Sequence, residues 1–335
     1  TVVLEEDEII KYYLVKFNST TGNLIDTPLL LPLEGIHKRG HTSFRYDENL
    51  NRYYLSGHNF GSSFYIVSFN GITFGQGNNN YAYLLSFNPN DLQDWWYKEF
   101  PGSPGSEIHS IAIDSNSDIY IGGKVSISSN PNNPPVFFGD YAFSTTITGN
   151  LPFVLKMNSQ GEVQWHKTQN GYIDPVAATG SYWAYDVAIN GNEVALATHG
   201  NSTIWDSFSI DRPSGHLHDP YLIRFNKQTG EVIGLYDIMG SGGEYHNLTA
   251  VTADQDGNYV VGGYMRTSLF TDNPNGIATL YNTAGSGSYT DFFMARLAAT
   301  ECGTNVASND KFAPKTLRLY PNPTGGLVYI DTQED

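Results

Sequence analysis

The sequence is poor in cysteine, in charged residues and in long apolar runs. Its single cysteine, Cys302, cannot form an internal disulfide, so stability must come from packing. No apolar run approaches the roughly 20 residues that a transmembrane helix needs, and we expect no transmembrane segment. Only 16% of the residues are charged, and 34 acidic against 18 basic side chains give a net charge of −16. This surface repels phosphate backbones, so nucleic acid is not an expected partner.

Glycine and aromatic residues are abundant. The 335 residues include 34 glycines, and 14% are aromatic, a composition typical of short strands joined by tight turns. The chain opens on Thr1 without a leader-like segment, and we expect a mature or trimmed product. All-β is the predicted fold class.

A repeat of about 70 residues runs through the chain. One recurring stretch is an apolar strand, a polar turn and usually a second strand, at residues 12–25, 82–96, 152–165, 220–233 and 291–302. Its anchor residues lie 70, 70, 68 and 72 residues apart, at Phe17, Phe87, Met157, Phe225 and Leu297. A second recurring stretch alternates with the first and consists of a strand, a tight turn and another strand. It occurs at residues 43–57, 110–123, 186–198 and 250–263. Two hairpins in each period give four strands per repeat.

Four-stranded units in tandem cannot hide both faces alone, and stacking them radially leaves only short edges. We therefore predict a β-propeller of four-stranded blades over residues 1–300. The first repeat offers only one hairpin, so about four and a half blades are visible. The expected explanation is a fragment of a larger ring, the alternative being a ring closed unusually by an N-terminal strand.

Small residues and long connections add two expectations. Small residues recur where the second strand of a blade ends, at Gly57, Gly122, Gly123, Ala197, Gly262 and Gly263. They are predicted to lie where neighbouring blades approach most closely. Longer connections such as 126–150 and 206–219 are expected to carry a binding site.

Two phrases carry a resemblance to a known kind of repeat. DQDGNYVVGG (254–263) and FVLKMNSQGEVQW (153–165) resemble the propeller repeats of secreted bacterial proteins. Other copies depart from the phrase, because Asn190 replaces the turn aspartate and Thr198 replaces the final glycine. The resemblance covers roughly residues 12–300.

The C-terminal stretch LRLYPNPTGGLVYID (317–331) carries a sharper resemblance. It is similar to the opening of the type A C-terminal sorting domain of type IX secretion system cargo proteins. The motif implies a sorting signal at Tyr320, Pro321, Asn322, Pro323, Thr324, Gly325 and Gly326. Prolines fix φ and remove N–H donors, so this segment cannot continue a propeller strand. Residues 301–315 are polar and without periodicity, which predicts a linker.

The resemblance implies several further properties. Residues 316–335 would be the truncated start of a β-sandwich sorting domain. Export would pass through the periplasm and across the outer membrane of a Gram-negative bacterium, to a secreted or cell-surface location. The implied partners are the outer-membrane secretion translocon and its cargo carrier.

Two acidic turns raise the question of calcium. Asp114, Asn116 and Asp118 place oxygens at alternate positions, as do Asp254, Asp256 and Asn258, and Ca²⁺ prefers oxygen ligands. No acidic residue supplies a distal bidentate ligand. The favoured interpretation is a pair of hairpin turns whose side chains bond their own backbone, with calcium as the alternative.

Other candidate residues lie near the blade entrances. His41, His109 and His246 precede the first hairpin of three repeats at unequal offsets, and metal binding is the less favoured of their interpretations. Glu107, Asp186 and Glu244 are candidate acids for glycoside hydrolysis, although surface carboxylates are the simpler explanation. Four tryptophans are favoured as core residues over sugar-stacking platforms, namely Trp95, Trp96, Trp183 and Trp205.

The sequence contains no nucleophile elbow, zinc-protease motif or phosphate-binding glycine loop, and we assign no catalytic residue. The expected function is non-catalytic binding or adhesion to a glycan or a partner protein. The alternative is an extracellular hydrolase of polysaccharide or protein, which requires paired carboxylates within roughly 10 Å at the channel mouth. A third possibility is that the chain matters only as a transported passenger, captured with its translocon and carrier.

Overall fold

The computed structural model describes twelve parts of the chain. These are residues 11–34, 43–59, 67–74, 81–101, 103, 105–130, 132, 135–172, 184–213, 216–272, 278–283 and 290–297. The regular elements in these parts are all β-strands. The same parts hold no helix with the length and hydropathy needed to cross a membrane.

The strands follow one another in a repeating order. The N-terminal strands are β1 (Tyr12–Leu14), β2 (Leu29–Leu31) and β3 (Leu33–Glu34). The first long repeat contains β4 (Phe44–Asp47), β5 (Arg52–Asn59), β6 (Val67–Phe69), β7 (Ile72–Phe74), β8 (Tyr81–Asn88) and β9 (Asp91–Glu99). The second contains β10 (Glu107–Ile113), β11 (Ile119–Ile127), β12 (Phe137–Phe138), β13 (Tyr141–Ala142), β14 (Gly149–Met157) and β15 (Val163–Thr168).

The remaining strands repeat this order once in full and once with five strands among the described residues. The third repeat contains β16 (Ala184–Asn190), β17 (Glu193–Gly200), β18 (Thr203–Trp205), β19 (Phe208–Ile210), β20 (Asp219–Asn226) and β21 (Val232–Asp237). The fourth contains β22 (Asn247–Ala253), β23 (Tyr259–Met265), β24 (Ser268–Leu269), β25 (Leu280–Tyr281) and β26 (Asp291–Leu297).

Each repeat forms one antiparallel sheet, which we call a blade. Blade 1 has the order β4-β5-β8-β9, blade 2 β10-β11-β14-β15, blade 3 β16-β17-β20-β21 and blade 4 β22-β23-β26. The inner strands β4, β10, β16 and β22 together line one central cavity of about 390 Å³. The fold is therefore an all-β propeller, as the repeat predicted.

Each blade carries a small hairpin between its second and third strands. These insertions are β6-β7, which β3 extends, β12-β13, β18-β19 and β24-β25. They include parts of the connections 126–150 and 206–219, which the sequence analysis expected to carry a binding site. All leave the propeller at the end where the inner strands begin, because each inner strand is antiparallel to the second strand. We call this the insertion end.

The core lies between blades. One apolar cluster joins Tyr54 and Leu84 of blade 1 to Ile111 and Ile121 of blade 2. Similar clusters join blade 2 to blade 3 and blade 3 to blade 4. Each blade therefore hides its faces against its neighbours, which is why the module repeats.

The glycines that end the second strands have two different roles. A Cβ on Gly122 would lie 2.4 Å from Val187 Cγ2 of blade 3, so this glycine permits the close blade contact that the sequence predicted. Gly123 and Gly263 differ, because a Cβ there would lie 2.0 Å from Glu107 O and 1.9 Å from Asn247 O of their own blades. Their requirement for glycine comes from β-bulges in the inner strands rather than from a neighbouring blade.

A repeated hydrogen bond links successive blades beside the axis. Ser43 Oγ accepts the N–H of Ile111, and Ser110 Oγ accepts the N–H of Val187, each at 3.2 Å. Asp186 Oδ2 accepts the N–H of Val251 at 3.0 Å. The three acceptors occupy the same register position in their blades, where blade 4 has Ala250. We call each of these bonds a latch.

The N-terminal hairpin differs in detail from the expectation. Strands β1 and β2 pair as a separate two-stranded sheet, with Tyr12 opposite Leu31, and Phe17 forms an isolated bridge with Leu24. The second strand thus begins at Leu29, beyond the stretch 12–25 that the repeat predicted. Pro28 lacks an N–H donor and separates the bridge from β2.

The chain divides into a compact unit Thr1–Leu297 and a second unit Ala298–Asp335. The second unit lies outside the described residues. It contains the linker 301–315, the sorting domain 316–335 and the signal Tyr320 to Gly326, all of which remain predictions.

Candidate functional site

Bulges place polar side chains at the insertion end. The register shifts between Ile108 and Ser110, and again between Ala184 and Asp186, so that His109 and Tyr185 are the extra residues. A bulge redirects a side chain and is common beside binding sites. Here it brings two rings from neighbouring inner strands together, with centroids 6.0 Å apart.

Those two rings begin a row that extends across blade 3 to blade 4. Tyr185 lies 5.4 Å from His199, His199 lies 5.2 Å from His218, and His218 lies 5.1 Å from Tyr245. We call His109 and these four residues the ring row. Burial raises the pKa of Tyr185 and lowers the pKa of His218, so both are neutral at pH 7. Tyr245, at the end of the row, is 42% exposed.

A charged group adjoins the first ring of the row. Glu107 Oε2 accepts a hydrogen bond from His109 Nε2 at 2.7 Å, and Glu107 Oε1 accepts one from Lys124 Nζ at 2.9 Å. Burial acts to raise the pKa of Glu107, but these two partners outweigh it and lower the pKa to about 2. Glu107 is therefore a carboxylate at physiological pH and an acceptor fixed in position.

Arg212 organises a second charged group, in the insertion of blade 3. It is buried and contacts Asp219 Oδ2 at 3.2 Å and Asp237 Oδ1 at 2.6 Å, and its Nε donates to Gly200 O at 3.2 Å. The terminal nitrogens of a guanidinium group are about 2.3 Å apart, so these two carboxylate oxygens are at most about 8 Å from each other. This is a carboxylate pair that sequence reasoning did not find.

His246 lies next to the other carboxylate oxygen of Asp219. Its Nε2 lies 3.9 Å from Asp219 Oδ1, and its Nδ1 accepts the N–H of Arg266 at 3.2 Å. Gly240 underlies both side chains, since a Cβ there would lie 2.5 Å from Asp219 Oδ1. Burial lowers the pKa of His246, against the opposing effect of Asp219.

Hydrogen-bonding groups of blade 4 surround the exposed end of the ring row. The guanidinium carbon of Arg266 lies 6.0 Å from the centroid of the Tyr245 ring, and Arg266 pairs with Glu244 at 3.5 Å. Nearby on β22 and β23, Asn247 Nδ2 donates to Tyr264 Oη. An exposed ring flanked by guanidinium, carboxylate and amide groups can bind a polar ligand by stacking and hydrogen bonding.

The acids that the sequence proposed lie in three separate settings. Glu107 adjoins the ring row, and Glu244 lies at its exposed end. Asp186 lies beside the axis, where Oδ1 accepts from Ser110 Oγ and Oδ2 from Val251 N. The structure therefore gives Asp186 a position in a latch.

The proposed histidines and tryptophans are also placed. His109 pairs with Glu107 and His246 adjoins Asp219, whereas His41 lies outside the described residues. Trp95, Trp96 and Trp205 pack among core side chains, and Trp205 is fully buried. Trp183 also lies outside the described part.

The acidic turns adopt the favoured backbone-bonded form. Asp114 Oδ1 accepts the N–H groups of Asn116 and Asp118, and Asp254 Oδ1 accepts those of Asp256 and Asn258. Asp114 and Asp118 pair with lysines, and Asp254 and Asp256 pair with Arg296. No group of three or more His, Cys, Asp or Glu within the described ranges is arranged to hold a metal. Calcium binding stays a prediction.

Sequence reasoning missed most of the ring row. Tyr185, His199 and His218 carry no motif, and only the segment HLHD at 216–219 hinted at a polar cluster. A comparison of bulge positions between repeats would have paired His109 with Tyr185.

Comparison with solved structures found weak likenesses, including three to enzymes that act on glycosides. No protein-family model and no curated protein matches the chain. An engineered GH43 glycoside hydrolase with endo-xylanase and exo-arabinofuranosidase activity is 13% identical, with a TM-score of 0.31 over 67% of this chain and 34% of that one. A xylan β-1,4-xylosidase from Bacillus halodurans C-125 is 12% identical, with a TM-score of 0.34 over 76% of this chain and 47% of that one.

The third likeness is to an exo-1,5-α-L-arabinanase from a bovine ruminal metagenomic library. It is 10% identical, with a TM-score of 0.26 over 79% of this chain and 94% of that one. The present chain spans less than half the length of the first two proteins.

Proposed function

We propose that the propeller binds a carbohydrate at its insertion end, through the ring row and the polar groups beside it. The observation that carries this proposal is the exposed Tyr245 ring, with Arg266 over its face and Glu244 paired to that arginine. Sugars present C–H faces that stack on aromatic rings and hydroxyl groups that bond carboxylates and guanidinium groups. The protein then acts as a non-catalytic binding or adhesion module.

The charge arrangement supports binding ahead of catalysis. Glu107 is held as a carboxylate by His109 and Lys124, and Asp186 is engaged by two neighbouring blades. A glycosidase needs one carboxylic acid that is protonated at working pH. Glu107 does not supply it, because its pKa is lowered.

Binding can be tested with a panel of soluble plant and bacterial polysaccharides by calorimetry or affinity electrophoresis. We expect Tyr245→Ala and Arg266→Ala each to weaken binding of the positive polysaccharide by at least about tenfold. Tyr13→Ala, at an exposed tyrosine of β1, is the matched control and should leave binding unchanged. Unchanged binding in both site variants would place the ligand elsewhere.

Glycoside hydrolysis is the second candidate, and the Asp219 and Asp237 pair favours it. Their oxygens are at most about 8 Å apart, and the two acids of a glycosidase are separated by roughly 5–9.5 Å. Burial raises the pKa of Asp237, with Arg212 opposing, as a proton donor requires. Reducing-sugar release from the bound polysaccharide, abolished by Asp237→Asn while binding persists, would support hydrolysis.

We also propose export by the type IX secretion system. The support is the sequence from Tyr320 to Gly326 and its resemblance to the start of a sorting domain. The translocon and its cargo carrier would be the partners, and the product would be secreted or displayed at the cell surface. The test is a reporter fused to residues 299 to the natural C-terminus in a competent host. A reporter retained in the periplasm would contradict the proposal.

A further inference from the structure

The boundary between blades 2 and 3 contains a buried ion pair. Lys227 Nζ, from the outer turn of blade 3, lies 3.1 Å from Asp114 Oδ2 of blade 2. Tyr120 Oη donates to the same carboxylate oxygen at 3.4 Å, and Trp165 Nε1 donates to Lys227 O at 3.3 Å. Asp114 and Lys227 are 7% and 8% exposed, so the carboxylate is balanced by one ammonium group away from water.

At the boundary between blades 1 and 2, blade 1 has the same residue types at the equivalent positions. Asp47 occupies the register position of Asp114 at the end of the inner strand. Tyr54 lies opposite Ser86 on the neighbouring strand, just as Tyr120 lies opposite Lys156. Trp96 and Trp165 occupy equivalent positions on the outer strands.

The two tryptophans also have equivalent surroundings. Trp96 packs against Gly161 in the outer turn of the next blade, and Trp165 packs against Gly230. The turn of blade 2 runs Asn158, Ser159, Gln160, Gly161, and that of blade 3 runs Asn226, Lys227, Gln228, Thr229, Gly230. Ser159 therefore stands at the position of Lys227, and the ammonium group has no counterpart.

Two polar atoms at this boundary lack partners. Asp47 Oδ2 and Trp96 Nε1 are buried and form no hydrogen bond with any described residue. Tyr54 Oη is also buried, and the Ser86 hydroxyl is the side-chain group close to it. Asp47 is 3% exposed, and its other oxygen accepts only the N–H groups of Asn49 and Leu50 in its own turn. An uncompensated buried carboxylate is costly.

The nearest basic side chain is engaged elsewhere. Arg52 Nη1 pairs with Asp94 at 2.7 Å, and Arg52 Nε donates to Ser86 Oγ at 3.1 Å. Burial and the neighbouring Asp47 raise the pKa of Tyr54 to about 12, against the opposing effects of Arg52 and of a hydrogen bond with Ser86, so the phenol is neutral and able to donate or accept. Asp47 is therefore a buried carboxylate with which no basic side chain of the described residues forms an ion pair.

We propose that Asp47 Oδ2 binds a monovalent cation of potassium or ammonium size between blades 1 and 2, in the place that Lys227 Nζ takes between blades 2 and 3. Tyr54 Oη is the second oxygen ligand. One positive charge balances the single carboxylate, as the lysine does at the next boundary. A divalent cation would need further carboxylates, and the described residues supply no such group.

The test uses thermal unfolding of the full chain in potassium or ammonium chloride, with N-methylglucamine chloride at the same ionic strength as the reference. A cation that binds only the folded state raises the Tm with concentration and saturates. We expect a rise of roughly 2–4 °C. Equal unfolding temperatures in the three salts would overturn the proposal, because a bound water would give that result.

Two variants should each remove the potassium effect if the site is correct. Asp47→Asn should abolish the dependence on potassium, and Ser159→Lys should abolish it while raising the Tm in N-methylglucamine. Lys227→Ser is the matched control, because it removes the tethered ammonium group and should create a second potassium-dependent step. Persistence of the potassium effect in Asp47→Asn would overturn the proposal even if Ser159→Lys failed to fold.

Discussion

Ser110 Oγ donates a 2.6 Å hydrogen bond to Asp186 Oδ1, which joins the inner strands of blades 2 and 3 beside the axis. The same hydroxyl accepts the N–H of Val187, and the other oxygen of Asp186 accepts the N–H of Val251 in blade 4. One carboxylate thus holds three blades together. Its role is structural, although sequence reasoning had also weighed it as a catalytic acid.

Asp186→Ala should destabilise the propeller. The change leaves the Val251 N–H and the Ser110 hydroxyl without their acceptor, and we expect a loss of about 2–4 kcal/mol in the free energy of unfolding. Urea denaturation measures it. Asp140→Ala, at an exposed turn, is the control and should cost no more than about 0.5 kcal/mol. Equal costs for both would show that the latch contributes nothing.

Gly122→Ala should be much more costly than Gly262→Ala. The two glycines occupy equivalent positions, but a Cβ on Gly122 would meet Val187 Cγ2 at 2.4 Å, whereas one on Gly262 would meet only Phe293 O at 3.5 Å. We expect a loss of about 1–3 kcal/mol for Gly122→Ala from overpacking. Gly262→Ala should be neutral or stabilise by up to about 1 kcal/mol. Chemical denaturation of the two variants side by side decides the matter.

Arg212→Ala should be among the most destabilising single changes. It removes the only guanidinium partner seen for Asp219 within the described part of the chain, and an unpaired buried charge costs about 3–5 kcal/mol. Lys167→Ala is the comparison, because Lys167 and Asp206 form a half-exposed ion pair worth about 0–1 kcal/mol. Denaturation and limited proteolysis of the insertion at 200–219 provide the measurements. Similar stability of the two variants would contradict the prediction.

The free energy of unfolding should fall as the pH drops below about 6.5. Neutral His166 donates from Nε2 to Ser144 O and accepts from Tyr141 Oη on Nδ1. Burial lowers the pKa of His166, so below pH 6.5 the unfolded chain binds the proton that the folded ring resists. His166→Gln should reduce this slope, while His218 and His246 keep part of it because their pKa values are lowered too. An NMR titration placing the pKa of His166 at or above 6.5 would contradict the argument.

The repeat predicted the architecture because one period contains a complete blade. The turn at Asp114 to Asp118, for example, lies between strands that end at Ile113 and begin at Ile119, as the alternation of hairpins implied. A local pattern suffices there, because each turn joins strands that are neighbours in the sheet. The pairing of β1 with β2 departed from prediction because Pro28 delays the second strand.

The candidate site could not be predicted in the same way. His109, Tyr185 and His218 come together only because two bulges and an insertion bring separate blades to one end of the propeller. Arg212 and Asp237 are 25 positions apart and meet across a blade. A single sequence carries no signal for such distant contacts, and of the residues at this site the sequence named only Glu107, His109, Glu244 and His246 in advance.

The direction of the latches has a consequence for assembly. Each acceptor belongs to the earlier blade and each N–H donor to the later one, from Ser43 to Ile111, from Ser110 to Val187 and from Asp186 to Val251. A chain delivered from its N-terminus, by the ribosome or through a pore, meets a template that has already formed. The propeller is then assembled one blade at a time, and each newly delivered blade docks on the blades that have already folded.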